Sequence, residues 1–120
     1  MSIRVVLVED QMLVRQGIRS LLALDDSVEV VAECDDGAYV IDALNANSAD
    51  IVLMDIRMPE MTGIDALRAM RKHNIDTPVI MLTTFDDHEL VTQAMQSGAK
   101  GYLLKDVSLE TLIDAIKSVV

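Results

Sequence analysis

The sequence predicts an α/β fold, a five-stranded parallel sheet with helices on both faces, and three observations predict it. Short runs rich in apolar residues recur at Ile3–Val8, Val28–Ala32, Ile51–Met54, Val79–Leu82 and Gly101–Leu104. The segments between and after them carry apolar residues every three or four positions, the period of a helix packed on one side. Polar residues collect at the carboxyl ends of four of the runs: Glu9 and Asp10, Asp55, Thr83, and Lys105. Strands alternating with helices in this way specify a parallel sheet, because a parallel pair needs a long crossover and the crossover helix then covers a face.

Each element has its own signal. Ile3–Val8 is β-branched and apolar, and the helix after it places Val14, Ile18, Leu21 and Leu22 on one face, with Arg15 and Arg19 on another. Asp25 and Asp26 mark the exit turn into Val28–Ala32. Asp36-Gly37 turns the chain into a second helix that points Val40, Ile41 and Leu44 inward, and Asn45–Ser48 is polar enough to end it. Ile51–Met54 is apolar without a break, as a strand buried on both faces must be. Thr62 with Asp65 reads as a capping box for a helix burying Ile64, Leu67 and Met70, with Lys72 and His73 at its electronegative end. Pro78 opens Val79–Leu82, which runs on into Thr83, Thr84 and Phe85. Asp86 with Glu89 repeats the capping pattern for a helix packing through Leu90, Val91, Ala94 and Met95, and Gly98 is its stop. The last helix starts near Ser108 and buries Leu109, Leu112, Ile113, Ile116 and Val120.

At 120 residues the chain is one domain, long enough to bury a core without disulfides or a structural metal. The net charge of −10 repels nucleic acid phosphates, and its three aromatic residues, Tyr39, Phe85 and Tyr102, make no stacking platform for bases or a flavin. Cys34, the single cysteine, excludes an internal disulfide and reads as a small apolar core residue. No apolar run approaches the roughly 18 residues of a membrane span, and Met1 leads into a strand instead of a basic, apolar leader. A soluble cytoplasmic protein, not bound to membrane, is the expectation.

A doubly wound sheet gathers its strand ends on one edge, where such sheets bind ligands. Glu9, Asp10 and Asp55 therefore meet there, and a close carboxylate pair repels by about 4 kcal/mol at an effective dielectric near 20. Lys105 offsets part of this. The remainder, all oxygen with no His or Cys, suits a hard divalent cation: Mg²⁺, or Mn²⁺ in its place. Cations around a carboxylate, with a hydroxyl from Thr83, make a site for phosphoryl transfer in which Asp55 is the nucleophile. Taken singly, Glu9-Asp10 reads as a helix cap, Thr83 as a strand residue and Lys105 as a loop lysine. Their joint placement gives the set its meaning.

These residues resemble the receiver domain of bacterial two-component response regulators, from Val5 through the last helix. The match lies in Glu9-Asp10, in Met-Asp-Ile-Arg-Met-Pro-Glu-Met-Thr-Gly around Asp55, in Leu-Thr-Thr at Leu82–Thr84 and in Gly-Tyr-Leu-Leu-Lys at Gly101–Lys105. The Phe-Asp-Asp and Gly-Tyr-Leu-Leu-Lys-Asp wording is most similar to the NarL/LuxR type. The resemblance implies a flavodoxin-like (βα)5 fold with strand order 2-1-3-4-5. It implies that Asp55 accepts a phosphoryl group from a sensor histidine kinase, and that Mg²⁺ is bound by Asp10, by Glu9 mainly through water, by Asp55 and by the main-chain carbonyl of Arg57. Thr83 and Lys105 are then contacts to the phosphoryl oxygens, and Tyr102 an aromatic switch that turns inward when Thr83 moves. Two positions depart from the common pattern: Glu9 where many relatives have Asp, and Asp106 where many have Pro after the lysine.

The implied output is a phosphorylation-dependent homodimer, through a face made by the last two helices and the fifth strand, regulating transcription. Shifting such a switch from 1:99 to 99:1 takes about 5.5 kcal/mol of differential interaction. Met12, Leu13 and Val119 are apolar residues left over from the core assignment that suit an interface. DNA is reached only through a helix-turn-helix domain expected beyond Val120. Three rival readings fare worse. A flavodoxin-like electron carrier wants a phosphate-binding loop where this chain has Glu9-Asp10, and an aspartyl phosphohydrolase wants a second Asp where this chain has Arg57. A degenerate receiver would leave chemical positions empty, and here each is filled.

Overall fold

In the computed structural model, which describes residues 2–84 and 87–120, the apolar runs form five parallel strands. They are β1 (Ile3–Val8), β2 (Val28–Cys34), β3 (Ile51–Asp55), β4 (Val79–Thr83) and β5 (Gly101–Leu104), in the order β2-β1-β3-β4-β5. The helices are α1 (Met12–Leu22), α2 (Val40–Ala46, entered by a 3₁₀ turn at Gly37–Tyr39), α3 (Gly63–Lys72), α4 (His88–Gln96) and α5 (Leu109–Val119). Both the predicted fold class and the strand order are those of the structure.

Alternation along the strands builds two cores. Val6, Val8, Val52, Met54, Val79 and Met81 face α2, α3 and α4 on one side. Their neighbours Val5, Leu7, Ile51, Leu53, Ile80 and Leu82 face α1 and α5 on the other. The central strands therefore need apolar residues at every position, and β3 and β4 are buried throughout. Cys34 is buried, as its size suggests.

Several local expectations change. The second strand runs two residues further than predicted, to Cys34, because β1 keeps pairing with it through Val6↔Ala32 and Val8↔Cys34 after a register shift between Val5 and Val6. Leu21, Met95 and Val120 are exposed instead of packed, whereas Val119 packs against the α1/α5 core. Met12 and Leu13 are exposed as expected. The Thr62 hydroxyl caps α3 by accepting from the Asp65 N–H at 3.2 Å, and Ser108 caps α5 from Thr111 in the same way. Gly98 ends α4 with φ of 108°, a conformation that costs glycine little. The strand continuation through Phe85 and the cap assigned to Asp86 lie outside the described residues. Among the described residues, no helix is long and apolar enough to cross a membrane, and no peptide bond is cis.

Candidate functional site

The strand order reverses between β1 and β3: from β1 the chain steps out to the edge strand β2 and returns on the far side as β3. That switch point leaves a crevice at the carboxyl ends of β1 and β3. Glu9 and Asp10 follow β1 there, and Asp55 is the last residue of β3. Their carboxylate oxygens lie within 4.8 Å of one another. Glu9 and Asp55 are buried, and Asp10 stands half-buried at the mouth.

Lys105 follows β5 and is brought inward by pairing, since its N–H donates to the Thr83 carbonyl at 3.0 Å. Its ammonium donates to Asp55 Oδ2 at 2.8 Å and lies 2.9 Å from Glu9 Oε1. Among the described residues, Lys105 is thus the cation that partners this buried Glu9 oxygen. Burial pushes the Glu9 carboxyl up to about 7, against the pull of Lys105 and with a further push from Asp10. Burial disfavours charge on Lys105, but its hydrogen bond to Asp55 and the nearby Glu9 outweigh that and hold it above the usual lysine value of 10.5.

Three close carboxylates share one ammonium, so the cluster keeps an excess of negative charge, and its donor atoms are all oxygen. Its donor chemistry fits a hard divalent cation and offers a soft metal nothing.

The loop after Asp55 is held tightly. The Arg57 N–H donates to Asp55 Oδ1 at 3.3 Å, and the Gly63 N–H donates to the Ile56 carbonyl at 2.8 Å. A Cβ on Gly63 would lie 2.3 Å from the Asp55 carbonyl oxygen, so only glycine lets α3 start this close to the acid. A cleft lined by Asp10, Arg57, Met58, Thr62 and Arg68 opens beside the acids.

Thr83, at the end of β4, is buried, and its hydroxyl is engaged with acceptors other than Asp55, donating toward Asp87 Oδ2 at 3.2 Å and the Thr84 carbonyl at 3.1 Å. Tyr102 lies on β5 opposite Met81 with 53% of its surface exposed, beside a groove lined by Val91, Met95 and Thr84. Glu9, Asp10, Asp55 and Lys105 thus converge, Arg57 touches Asp55 through its backbone, and Thr83 and Tyr102 stand on the neighbouring side.

Three residues around the site escaped the sequence reading. Arg15, on the face of α1 away from its apolar stripe, donates to the Glu9 carbonyl at 2.7 Å and fixes the acidic turn. Asp36, read as a turn residue, is buried and accepts from the N–H groups of Ala38, Glu60 and Met61, tying the loop after Asp55 to the start of α2. Asp87 is buried and pairs with the Arg57 guanidinium. The Asp-Gly and Asp-Asp pairs were the available signals, and they carry no information on burial.

Comparison with known proteins gives a consistent answer. The response regulator receiver domain model matches residues 5–117. The nitrate/nitrite response regulator protein NarP of Escherichia coli is 43% identical over 115 residues, covering 96% of this chain and 54% of NarP. The transcriptional regulatory protein DegU of Brevibacillus brevis is 37% identical over 118 residues, covering 98% of this chain and 50% of DegU. The chain therefore spans about half the length of these relatives. The solved signal receiver domain of NarL from Mycobacterium tuberculosis superposes with a TM-score of 0.86 at 38% identity, covering 97% of each chain. With an acid cluster and its lysine at the switch point of a sheet of this order, and a family model spanning most of its length, the chain belongs to the response regulator receiver domains, and the relatives it resembles are regulators of the NarP, NarL and DegU kind.

Proposed function

We propose that Asp55 is the phosphoacceptor and that the chain is a switch set by a sensor histidine kinase. The observation that carries this reading is the Lys105 ammonium 2.8 Å from Asp55, at the centre of the acid cluster. In the transfer, a carboxylate oxygen of Asp55 bonds to phosphorus while the bond from phosphorus to the donor breaks, its electron pair leaving with the donor. Lys105 neutralises a phosphoryl oxygen and Thr83, once turned, donates its hydroxyl to another. Glu9, Asp10, Asp55 and the Arg57 carbonyl would hold Mg²⁺ or Mn²⁺. Bound there, the ion supplies positive charge to the phosphoryl oxygens as negative charge builds on them.

Tyr102 follows Thr83 by turning into the groove beside β5, and the face formed by α4, β5 and α5 then supports a homodimer. In the longer protein this controls a C-terminal helix-turn-helix domain that binds DNA, in the cytoplasm.

Incubation with acetyl phosphate and Mg²⁺ followed by mass spectrometry tests the core of the proposal. The expected result is the mass of one added phosphoryl group, lost in Asp55→Asn. Labelling that survives this substitution defeats it. An unchanged elution volume after phosphorylation would defeat the dimer alone.

A further inference from the structure

Beside the acid cluster lies a second buried carboxylate that the proposed chemistry does not employ. Asp87, just before α4, is 2% exposed. One of its oxygens pairs with Arg57 Nε, across from the loop after β3. The other accepts from the Thr83 hydroxyl at 3.2 Å and the Thr84 hydroxyl at 3.3 Å. Asp36, its buried counterpart, spends its oxygens on the backbone N–H groups of Ala38, Glu60 and Met61.

The Thr83 hydroxyl carries a single hydrogen, with two acceptors nearby: the Asp87 carboxylate and, at 3.1 Å, the neutral Thr84 carbonyl. A charged acceptor makes the stronger bond. Asp87 is matched by the Arg57 guanidinium, whose positive charge offsets the cost of burying the carboxylate. A hydroxyl donating its one hydrogen to Asp87 has none left for a phosphoryl oxygen on Asp55. The two acceptors compete for it.

Resting on the reading of Asp55 as phosphoacceptor, we propose that Asp87 is a positioning residue of the phosphoryl site. Anchored by Arg57, it holds the Thr83 hydroxyl away from Asp55 in the resting chain and sets how readily that hydroxyl turns to the phosphoryl group. The same carboxylate joins the loop after β3 to the start of α4, so the turn of Thr83 releases a bond at the base of α4.

Beryllofluoride, which occupies an aspartate as a phosphoryl group does, tests this by calorimetric titration in the presence of Mg²⁺. Asp87→Ala is expected to bind it about tenfold more tightly than the wild type, the size of one hydrogen bond to a charged group. Asp87→Asn, which keeps the shape and a neutral acceptor, is expected to shift in the same direction by less, and it carries the comparison if the alanine variant does not fold. In a Thr83→Ala background the substitution at 87 is expected to change nothing, and Thr83→Ser is expected to restore the effect. An affinity unchanged or weakened by both substitutions overturns the inference, as does an equal gain in the Thr83→Ala background. A wild type that takes up no beryllofluoride removes the phosphoacceptor reading as well, a pattern distinct from wild-type binding that is indifferent to residue 87.

Discussion

The two sides of the site are built differently. On the β1/β3 side, Glu9 and Asp55 grow from central strands buried at every position near the site, and α3 buries Gly63, Ile64, Ala66, Leu67 and Met70 behind them. On the β4/β5 side, α4 buries only Ala94 among its described residues, β5 is a partly exposed edge strand, and Tyr102 projects into solvent. Chemistry demands fixed geometry, whereas a signal demands an element with two arrangements of similar free energy. Low burial is what makes local rearrangement inexpensive. The receiver fold separates the two demands by strand position, with Thr83 at the boundary.

The largest test of this contrast is one truncation made twice. Leu53→Ala, in the fully buried centre of β3, is expected to cost about 4 kcal/mol of stability. Leu90→Ala, half-buried on α4, is expected to cost about 1 kcal/mol. Urea denaturation measures both, and hydrogen exchange should show α4 amides opening before those of α3. Equal losses would erase the proposed asymmetry.

Gly63→Ala tests the rigid side alone. Its Cβ would meet the Asp55 carbonyl at 2.3 Å, a backbone atom with nowhere to go, so a loss of about 3 kcal/mol is expected together with impaired phosphoryl acceptance. A variant of wild-type stability would mean that the α3 entry tolerates displacement.

Asp36→Ala is expected to cost less than Gly63→Ala, about 2 kcal/mol near neutral pH, since it frees the N–H groups of Glu60 and Met61. Its pH dependence has a definite sign. Burial opposes the charged form of Asp36, but the backbone N–H bonds prevail and hold the folded carboxyl below its ordinary value of 3.8. The stabilisation is therefore complete above that value and disappears as pH falls through the folded one. The gap between wild type and Asp36→Ala should be constant above about pH 5 and narrow in acid, as thermal melts across pH would show. A gap that widens in acid would contradict the assignment.

Much of the molecule was legible in advance because its signals are local. The bounds of β1 and β5 are those read from the sequence, and the Thr62 and Ser108 caps lie within four residues of the N–H groups they satisfy. Glu9, Asp10, Asp55 and Lys105 converge because topology obliges residues at those strand ends to do so. The misplacements share one cause. Leu21, Met95 and Val120 sit at or near helical spacing, but spacing alone does not tell how far the neighbouring element extends. The two extra residues of β2 belong to it because β1 lies alongside.

By itself, then, the sequence determined the period of every element, their alternation and hence the sheet, along with the chemical set at its strand ends, since each depends on residues close in the chain or on a rule of chain crossing. Only the tertiary structure decided which acids are buried and where the Thr83 hydroxyl points. Asp36 is enclosed by Glu60 and Met61, and Asp87 by an arginine 30 residues earlier. Burial is supplied by elements remote in sequence, and a carboxylate carries no mark of it until those elements have met.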